Sequence, residues 1–152
     1  VAVGDWVWYT DDPTSYYVAA ANSAGQVLMQ LCDLEDGNCV YAVGFETRCD
    51  EGDTHPALVN TDQSAASIEL HCGKRLDNGS NLMLVGDFDQ LDGILRKASR
   101  IGFALPMQGD EFKAIRFSLK GSVTALDRMR RLAASGDAAR PDVRNTRDSE
   151  VF

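Results

Sequence analysis

The chain has 152 residues, is 44% hydrophobic and carries a formal net charge of −8. This length fits one domain with a substantial core, because domains of about 100–200 residues are usual. No apolar run approaches the roughly 20 residues of a membrane-spanning helix, and the acidic balance argues against non-specific binding of nucleic acid.

The predicted strands are short segments, rich in aromatic and β-branched residues, that alternate with turn sequences. They span residues 1–10, 15–21, 26–32, 39–47, 57–60, 65–72, 81–88, 101–107 and 111–119, with a hairpin turn at 108–110. In the last strand, the expected apolar positions are Phe112, Ala114, Phe117 and Leu119, with Ile115 out of phase. The first four strands have short connections, which indicates an antiparallel meander.

Two short helices complete the predicted elements. The first is capped by Asp89, and its apolar face is formed by Leu91, Ile94, Leu95 and Ala98. The second follows the last strand after a turn at Gly121, with Ser122 as its cap and Gly136 as its stop. Its apolar stripe contains Val123, Leu126, Met129 and Leu132, with Ala125 and Ala133 beside them. Asp127 and Arg131 form an expected i,i+4 ion pair.

These elements predict a mainly β fold. We expect an antiparallel β-sandwich or curled meander of eight to nine strands with two short helices, the second after the last strand. Residues 1–136 should form this single β-rich domain. Residues 137–152 are polar and lack periodicity, so they should form a flexible C-terminal tail.

Charge divides the chain into an acidic and a basic part. Residues 1–92 contain 3 Lys or Arg and 16 Asp or Glu, whereas residues 93–152 contain 12 and 7. We expect the basic part to pair with the protein's own acidic part. The alternative is that it meets an acidic partner.

Four cysteines, Cys32, Cys39, Cys49 and Cys72, allow three disulfide pairings. Cys32 and Cys39 flank a predicted hairpin, and Cys49 and Cys72 flank an acidic loop and the strand after it. We therefore predict the bonds Cys32–Cys39 and Cys49–Cys72. An even number of cysteines in a small β-rich domain indicates an oxidising compartment, which predicts a periplasmic or secreted protein. The start at Val1 rather than Met fits a processed, mature product.

Metal sites are the rival interpretation of these residues. Zinc would use the four cysteines, or three of them with His71 or His55, but structural zinc usually has two short C-x₂₋₄-C motifs, which are absent from this sequence. Calcium would use the carboxylates around Asp50 or Asp33, although the loop does not match the EF-hand pattern. We expect neither a metal nor a cofactor.

Motifs of common enzymes are absent from the sequence: it lacks G-x-S-x-G, H-E-x-x-H, Walker A and G-x-G-x-x-G. His71 and Cys72 are neighbours on a predicted strand and therefore point to opposite faces, which argues against a Cys–His dyad. A pair of carboxylates for glycoside hydrolysis remains open, because strands from distant parts of the chain can bring such a pair together. We expect a protein that is not an enzyme.

The acidic loop at residues 49–59 is the predicted partner-binding element. Asp50, Glu51 and Asp53, with His55, leave it few apolar side chains to bury. A bond from Cys49 to Cys72 would restrain the loop before binding and so lower the ordering cost. We expect its protein partner to be locally basic. The alternative is a solvated surface loop.

An early tryptophan, Trp6, precedes two strands that end in cysteine, LMQLC and IELHC, and the chain then continues to FSLKGSVTALDRM. This pattern resembles the invasion-associated locus B family of bacterial envelope proteins. The last segment is also similar to accessory envelope proteins of type VI secretion loci. The resemblance implies an exported β-sandwich with a binding or accessory role, and it transfers no catalytic residues.

The predicted function is that of an exported, non-catalytic binding or accessory protein of the bacterial envelope. The alternative is an inhibitor or immunity protein that blocks an enzyme such as a cell-wall hydrolase by inserting a rigid loop. A third hypothesis is a hydrolase with unrecognised carboxylates. The sequence does not indicate the oligomeric state.

Overall fold

The structure, a computed structural model, describes residues 2–106 and 112–135. Ten strands form one antiparallel sheet: β1 (Ala2–Val3), β2 (Trp6–Tyr9), β3 (Ser15–Ala21), β4 (Val27–Asp33), β5 (Cys39–Gly44), β6 (Thr54–Thr61), β7 (Ala65–Arg75), β8 (Asn81–Val85), β9 (Arg100–Pro106) and β10 (Phe112–Ser118). The helices are α1 (Phe88–Leu95) and α2 (Ser122–Ser135). The mainly β class and the position of the second helix after the last strand are confirmed. One predicted strand is split, because a turn at Gly4 makes β1 and β2 a hairpin.

The sheet order is β1-β2-β3-β4-β5-β8-β7-β6-β9-β10. The strands β1 to β5 form the predicted meander, and β5 then pairs with β8 rather than with β6. The sheet is open between β1 and β10, but it curls, since Asn22 after β3 donates through Nδ2 to the carbonyl of Arg116 on β10 at 3.0 Å. Curling gives the long sheet an inner face that encloses a single core.

The second helix covers the inner face of the first strands. On β4, Leu28, Gln30 and Cys32 are fully buried on that face, as the alternation predicts. The Gln30 Nε2 donates to the carbonyl of Leu126 at 3.0 Å, and the Trp8 Nε1 donates to that of Ala125 at 3.2 Å. Side chains of β2 and β4 thus fix α2 through its backbone.

Packing shifts the expected apolar stripes of β10 and α2. On β10 the buried set includes Ile115 and Phe117, and Ala114 is exposed, because the larger side chains bury more area. On α2, Val123 is 41% exposed. The other predicted residues Ala125, Leu126, Met129 and Ala133 are buried, and so is the cap residue Ser122, at the mixed three- and four-residue spacing of a helix.

The cap of α1 also differs from the prediction. Asp87, not Asp89, is the N-cap, and its carboxylate accepts from the backbone N–H of Gln90 at 3.0 Å. The strand before it ends at Val85 rather than at residue 88. The buried residues Leu91 and Leu95 belong to the predicted apolar face. The predicted hairpin turn at 108–110, the stop at Gly136 and the tail at 137–152 lie outside the described residues.

Candidate partner-binding surface

Two disulfide bonds join the cysteines in the predicted pairs. Cys32 and Cys39 lie directly opposite each other on β4 and β5, with their Cα atoms 4.0 Å apart. Cys49 precedes β6 and is bonded to Cys72 on β7, with 6.1 Å between the Cα atoms. Because no cysteine is free, the alternative zinc site has no thiolate ligands.

Residues 50–53, which we call the acidic turn, are held firmly at both ends. The N–H of Gly52 donates to the carbonyl of Cys72 at 2.8 Å, and the N–H of Cys72 donates to the carbonyl of Asp53 at 2.7 Å. A third bond, 3.0 Å long, joins the N–H of Asp53 to the carbonyl of Asp50. The side chains of Asp50, Glu51 and Asp53 are exposed. The disulfide and these bonds therefore order the backbone while three carboxylates remain in water.

The structure separates His55 from these carboxylates. Strand β6 begins at Thr54, so the predicted loop is shorter and the predicted weak strand at 57–60 is longer than expected. Alternation along β6 directs His55 to the inner face, where it is paired with the buried Leu70. Its Nε2 is buried and has no hydrogen-bond partner in the part of the chain that the structure describes. Ala57 and Val59 are buried, so His55 faces the same side of the strand as they do. The alternation of Ala57 and Val59 with Pro56 and Leu58 was the sequence signal that could have predicted the side of His55.

A surface groove of about 530 Å³ lies next to the acidic turn. It is lined by Thr54, His55, Pro56, Ser67, Ile68, Glu69, Gly86, Asp87 and Gln90. Two of these residues, Glu69 and Asp87, add exposed carboxylates. The Nε2 of His71 lies 3.3 Å from a carboxylate oxygen of Glu69. The acidic turn and the groove together form a surface that is rich in carboxylates.

A second cluster of charged residues, absent from the sequence-based prediction, joins the two helices. Asp92 accepts from the Nε of Arg96 at 2.9 Å and from an Nη of Arg130 at 2.7 Å. Arg96 also forms a two-bond contact with the carboxylate of Asp127. The expected pair of Asp127 with Arg131 is thus replaced by pairs with Arg96 and Arg130. The spacing of Asp92 and Arg96, four residues apart on a predicted helix, was a signal that could have found part of this cluster.

The buried end of this cluster is the hydroxyl of Tyr41, which donates to Asp92 at 2.7 Å. Burial alone would raise the pKa of Asp92, but hydrogen bonds from Tyr41 and Arg96 and the charge of Arg130 lower it below its usual value. Hydrogen bonding from Arg96 lowers the pKa of Asp127. Burial, followed by the bond to Asp92, raises the pKa of Tyr41 far above that of a free phenol. The cluster therefore holds charged carboxylates against a neutral phenol and links α1 and α2 to β5.

Neither a metal cluster nor a membrane span is found in the described ranges. Within residues 2–106 and 112–135, no group of three or more His, Cys, Asp or Glu side chains is placed to hold a metal ion. The two helices described there are not long and apolar enough to cross a membrane. The calcium site considered from the acidic loop therefore gains no support from the geometry.

The fold and its bonds define a class: a small antiparallel β protein with two disulfides and a helix packed after the last strand. The crystal structure of invasion associated protein B from Bartonella henselae has a similar fold, with a TM-score of 0.61, 14% identity and coverage of 88% of this chain and 97% of that chain. No protein-family model and no curated protein matches the chain. The resemblance predicted from the sequence is thus confirmed at the level of the fold.

Proposed function

We propose that this chain is an exported, non-catalytic binding or accessory protein of the bacterial envelope, either periplasmic or secreted. Two disulfides support export, because such bonds persist in oxidising compartments. The similarity in fold to an invasion associated protein of Bartonella henselae is consistent with that location.

The observation that carries the binding role is the restrained acidic turn. Its three exposed carboxylates are presented on a backbone that is already ordered by the Cys49–Cys72 bond. A preordered element loses less conformational entropy on binding, and a local negative field accelerates encounter with a basic partner. The proposed partner is therefore a protein with Lys or Arg at the contact.

The test begins with a pull-down from the native envelope fraction, which identifies the partner. Association of the purified partner is then measured at low salt with a variant in which Asp50, Glu51 and Asp53 are changed to Ser. We expect its association rate to fall and to depend less on salt than that of the unchanged protein.

The matched control removes the same charge elsewhere, by changing Asp5, Asp77 and Asp89 to Ser, since these carboxylates are also exposed. We expect the control to associate nearly as fast as the unchanged protein. Equal rates for the two variants would contradict a role for the acidic turn.

The alternative function is that of an inhibitor or immunity protein directed at an enzyme such as a cell-wall hydrolase. The same restrained turn favours it, since a rigid loop can enter an active site without ordering first. Peptidoglycan hydrolysis by the envelope fraction distinguishes the two functions. Inhibition by the added protein that is lost in the acidic-turn variant would favour the inhibitor.

A further inference from the structure

The sheet has a second apolar surface on the side away from the core. On β2, the residues Val7 and Tyr9 point outward and are 37% and 45% exposed, and Val40 on β5 is 39% exposed. Most strands with one solvated face carry polar residues there. Here the outward positions of β2 to β5 and of β8 are almost all apolar, although these strands already bury their other face.

The strand register shows that these residues are neighbours. One row across the sheet runs through Val7, Ala19, Met29, Ala42 and Leu84. A second row runs through Tyr9, Tyr17, Leu31 and Val40. A third contains Ala21, Val27, Gly44 and Leu82. We call these three rows the outer apolar face.

The exposed part of the outer apolar face is formed by its larger side chains. Ala42 is fully buried between Met29 and Leu84, which are partly exposed, and Ala19 is only 7% exposed between Val7 and Met29. At the end of the face, the rings of Tyr9 and Tyr17 are stacked with their centroids 4.6 Å apart. The larger side chains therefore cover the small ones, and a partner would pack on Val7, Met29 and Leu84.

At the end of the outer apolar face with the tyrosines, the described loops at residues 10–14 and 33–38 carry carboxylates and no Lys or Arg. Residues 1–47 contain seven Asp or Glu and no Lys or Arg. Five of the carboxylates are exposed at this end: Asp11, Asp12, Asp33, Glu35 and Asp36. Burial raises the pKa of Tyr17, and the nearby carboxylates of Asp11 and Asp12 raise it further. The three basic residues among residues 1–92 are Arg48, Lys74 and Arg75, and all of them follow residue 47 in the chain.

The size of the face favours a segment of polypeptide over a second copy of this chain. With a strand spacing of about 4.8 Å, five strands and three rows cover about 300–400 Å². A stable interface between proteins usually buries about 800 Å² on each partner, so this face alone is too small for a stable dimer.

We propose that the outer apolar face docks a segment of a protein partner that has apolar side chains followed by Lys or Arg. The apolar side chains of the segment pack on Val7, Met29 and Leu84, and its basic residues meet the carboxylates beside Tyr9 and Val40. This inference rests on the proposed binding function and assigns a second contact surface to it, separate from the acidic turn.

A synthetic peptide tests the chemistry directly. The probe has six apolar residues followed by two lysines, and its match ends in two glutamates instead. Binding to the full-length, isotope-labelled protein is followed by fluorescence anisotropy and by amide chemical shifts in NMR spectra. We expect the lysine peptide to bind more tightly and to shift amides of β2 to β5.

Matched variants locate the site. In the test variant Tyr9 and Val40 are changed to Ser, and in the control variant Leu58 and Val123, which are 50% and 41% exposed elsewhere, are changed to Ser. The test variant should weaken binding at least about tenfold, because it removes two of the most exposed apolar side chains of the face. The control should bind as the unchanged protein does. Equal binding by the two variants, or by the two peptides, would overturn the proposal.

Other occupants of the face give different results, and each overturns the proposal. Dimerisation in sedimentation experiments that is lost in the test variant would assign the face to a second copy. Binding to phosphatidylcholine vesicles that is lost in the test variant would assign the face to lipid. NMR contacts from residues 137–152 to these strands would assign it to the chain's own end.

The failure of this inference can be distinguished from the failure of the proposed function. If the native partner depends on the acidic turn but the peptide does not bind the outer apolar face, only this inference fails. If the peptide binds but no envelope partner is recovered, only the proposed function fails.

Discussion

Tyr41 and Asp92 illustrate how a single buried hydroxyl can organise a set of charges. The Tyr41 side chain is fully buried, its ring stacks on Phe88 with centroids 4.6 Å apart, and its hydroxyl is bound to Asp92. Arg130 lies 5.4 Å from the centre of the Phe88 ring and bonds to the same carboxylate. A buried donor that loses its partner retains its desolvation penalty, so the contribution of each group depends on the others.

Replacement of Tyr41 by Phe should therefore lower the free energy of unfolding by about 2 kcal/mol, the usual value for a hydrogen bond to a charged group. Urea denaturation at pH 7 measures this change. The control is Tyr9→Phe on the exposed surface, which should change stability by less than about 0.5 kcal/mol. A neutral effect of Tyr41→Phe would contradict the proposed role of this bond.

Acid should also weaken this cluster. Asp92 and Asp127 have pKa values below those of the unfolded chain. Their stabilisation is therefore present above the usual carboxyl pKa of about 4 and is lost as the pH falls through the lowered values. Urea midpoints measured from pH 7 to pH 2 should decrease, and the decrease should be smaller in the double variant Asp92→Asn, Asp127→Asn. An identical pH dependence in both proteins would exclude these groups as its cause.

At the scale of elements, the two disulfides have different consequences. The Cys32–Cys39 bond joins paired positions of adjacent strands with a sequence separation of 7. The Cys49–Cys72 bond closes a longer loop, with a separation of 23, and it restrains the acidic turn. Loop-closure entropy gives at most about 2.5 and 3.5 kcal/mol for the two bonds.

Replacing Cys49 and Cys72 by Ala should increase hydrogen exchange at the amides of Gly52 and Asp53, because their bonds hold the turn to β7 and to itself. The matched variant replaces Cys32 and Cys39 by Ala and should leave exchange in the turn nearly unchanged. Exchange measured by NMR at a pH where both variants are folded makes the comparison. If both variants leave the turn equally protected, the backbone bonds alone order it.

At the scale of the whole molecule, the first hairpin and the last helix meet at two glycines. Gly4 and Gly121 have φ values of 58° and 82°, and the N–H of Asp5 donates to the carbonyl of Lys120 at 3.0 Å. A Cβ on Gly121 would lie 2.5 Å from the carbonyl oxygen of Val3. This close approach of backbones joins the beginning of the sheet to the start of α2.

The variant Gly121→Ala should lose at least about 2 kcal/mol of stability, since it combines an unfavourable φ with a backbone clash. Gly25→Ala is the control, because its φ is 79° but nothing lies within 4 Å of an added Cβ. It should lose only about 1 kcal/mol. Denaturant unfolding of both variants separates the conformational cost from the packing cost, and equal losses would argue against the junction.

Much of the fold was predictable because strands and turns have local signals. Alternation along β4 identified which residues face together, and the turn sequences placed the short connections of the meander. The positions of Asp50, Glu51 and Asp53 in an exposed turn also followed from their composition. The burial of His55 could not be predicted from composition. The face to which His55 points depends on where β6 begins, and the first residues of β6 resemble a loop.

The sequence by itself determined the strand-rich class, the helix after the last strand and the cysteine pairs, since each depends on residues near one another in the chain or in a hairpin. Only the tertiary structure decided which side of β4 is covered. Both sides are apolar, with Leu28 and Cys32 on one and Met29 and Leu31 on the other. The alternation pattern therefore cannot show which side faces the core. Helix α2 covers the first side because Gln30 and Trp8 bind its backbone carbonyls. Pairing of Arg96 with Asp127 likewise required the two helices to pack together, since 31 positions separate these residues in the chain.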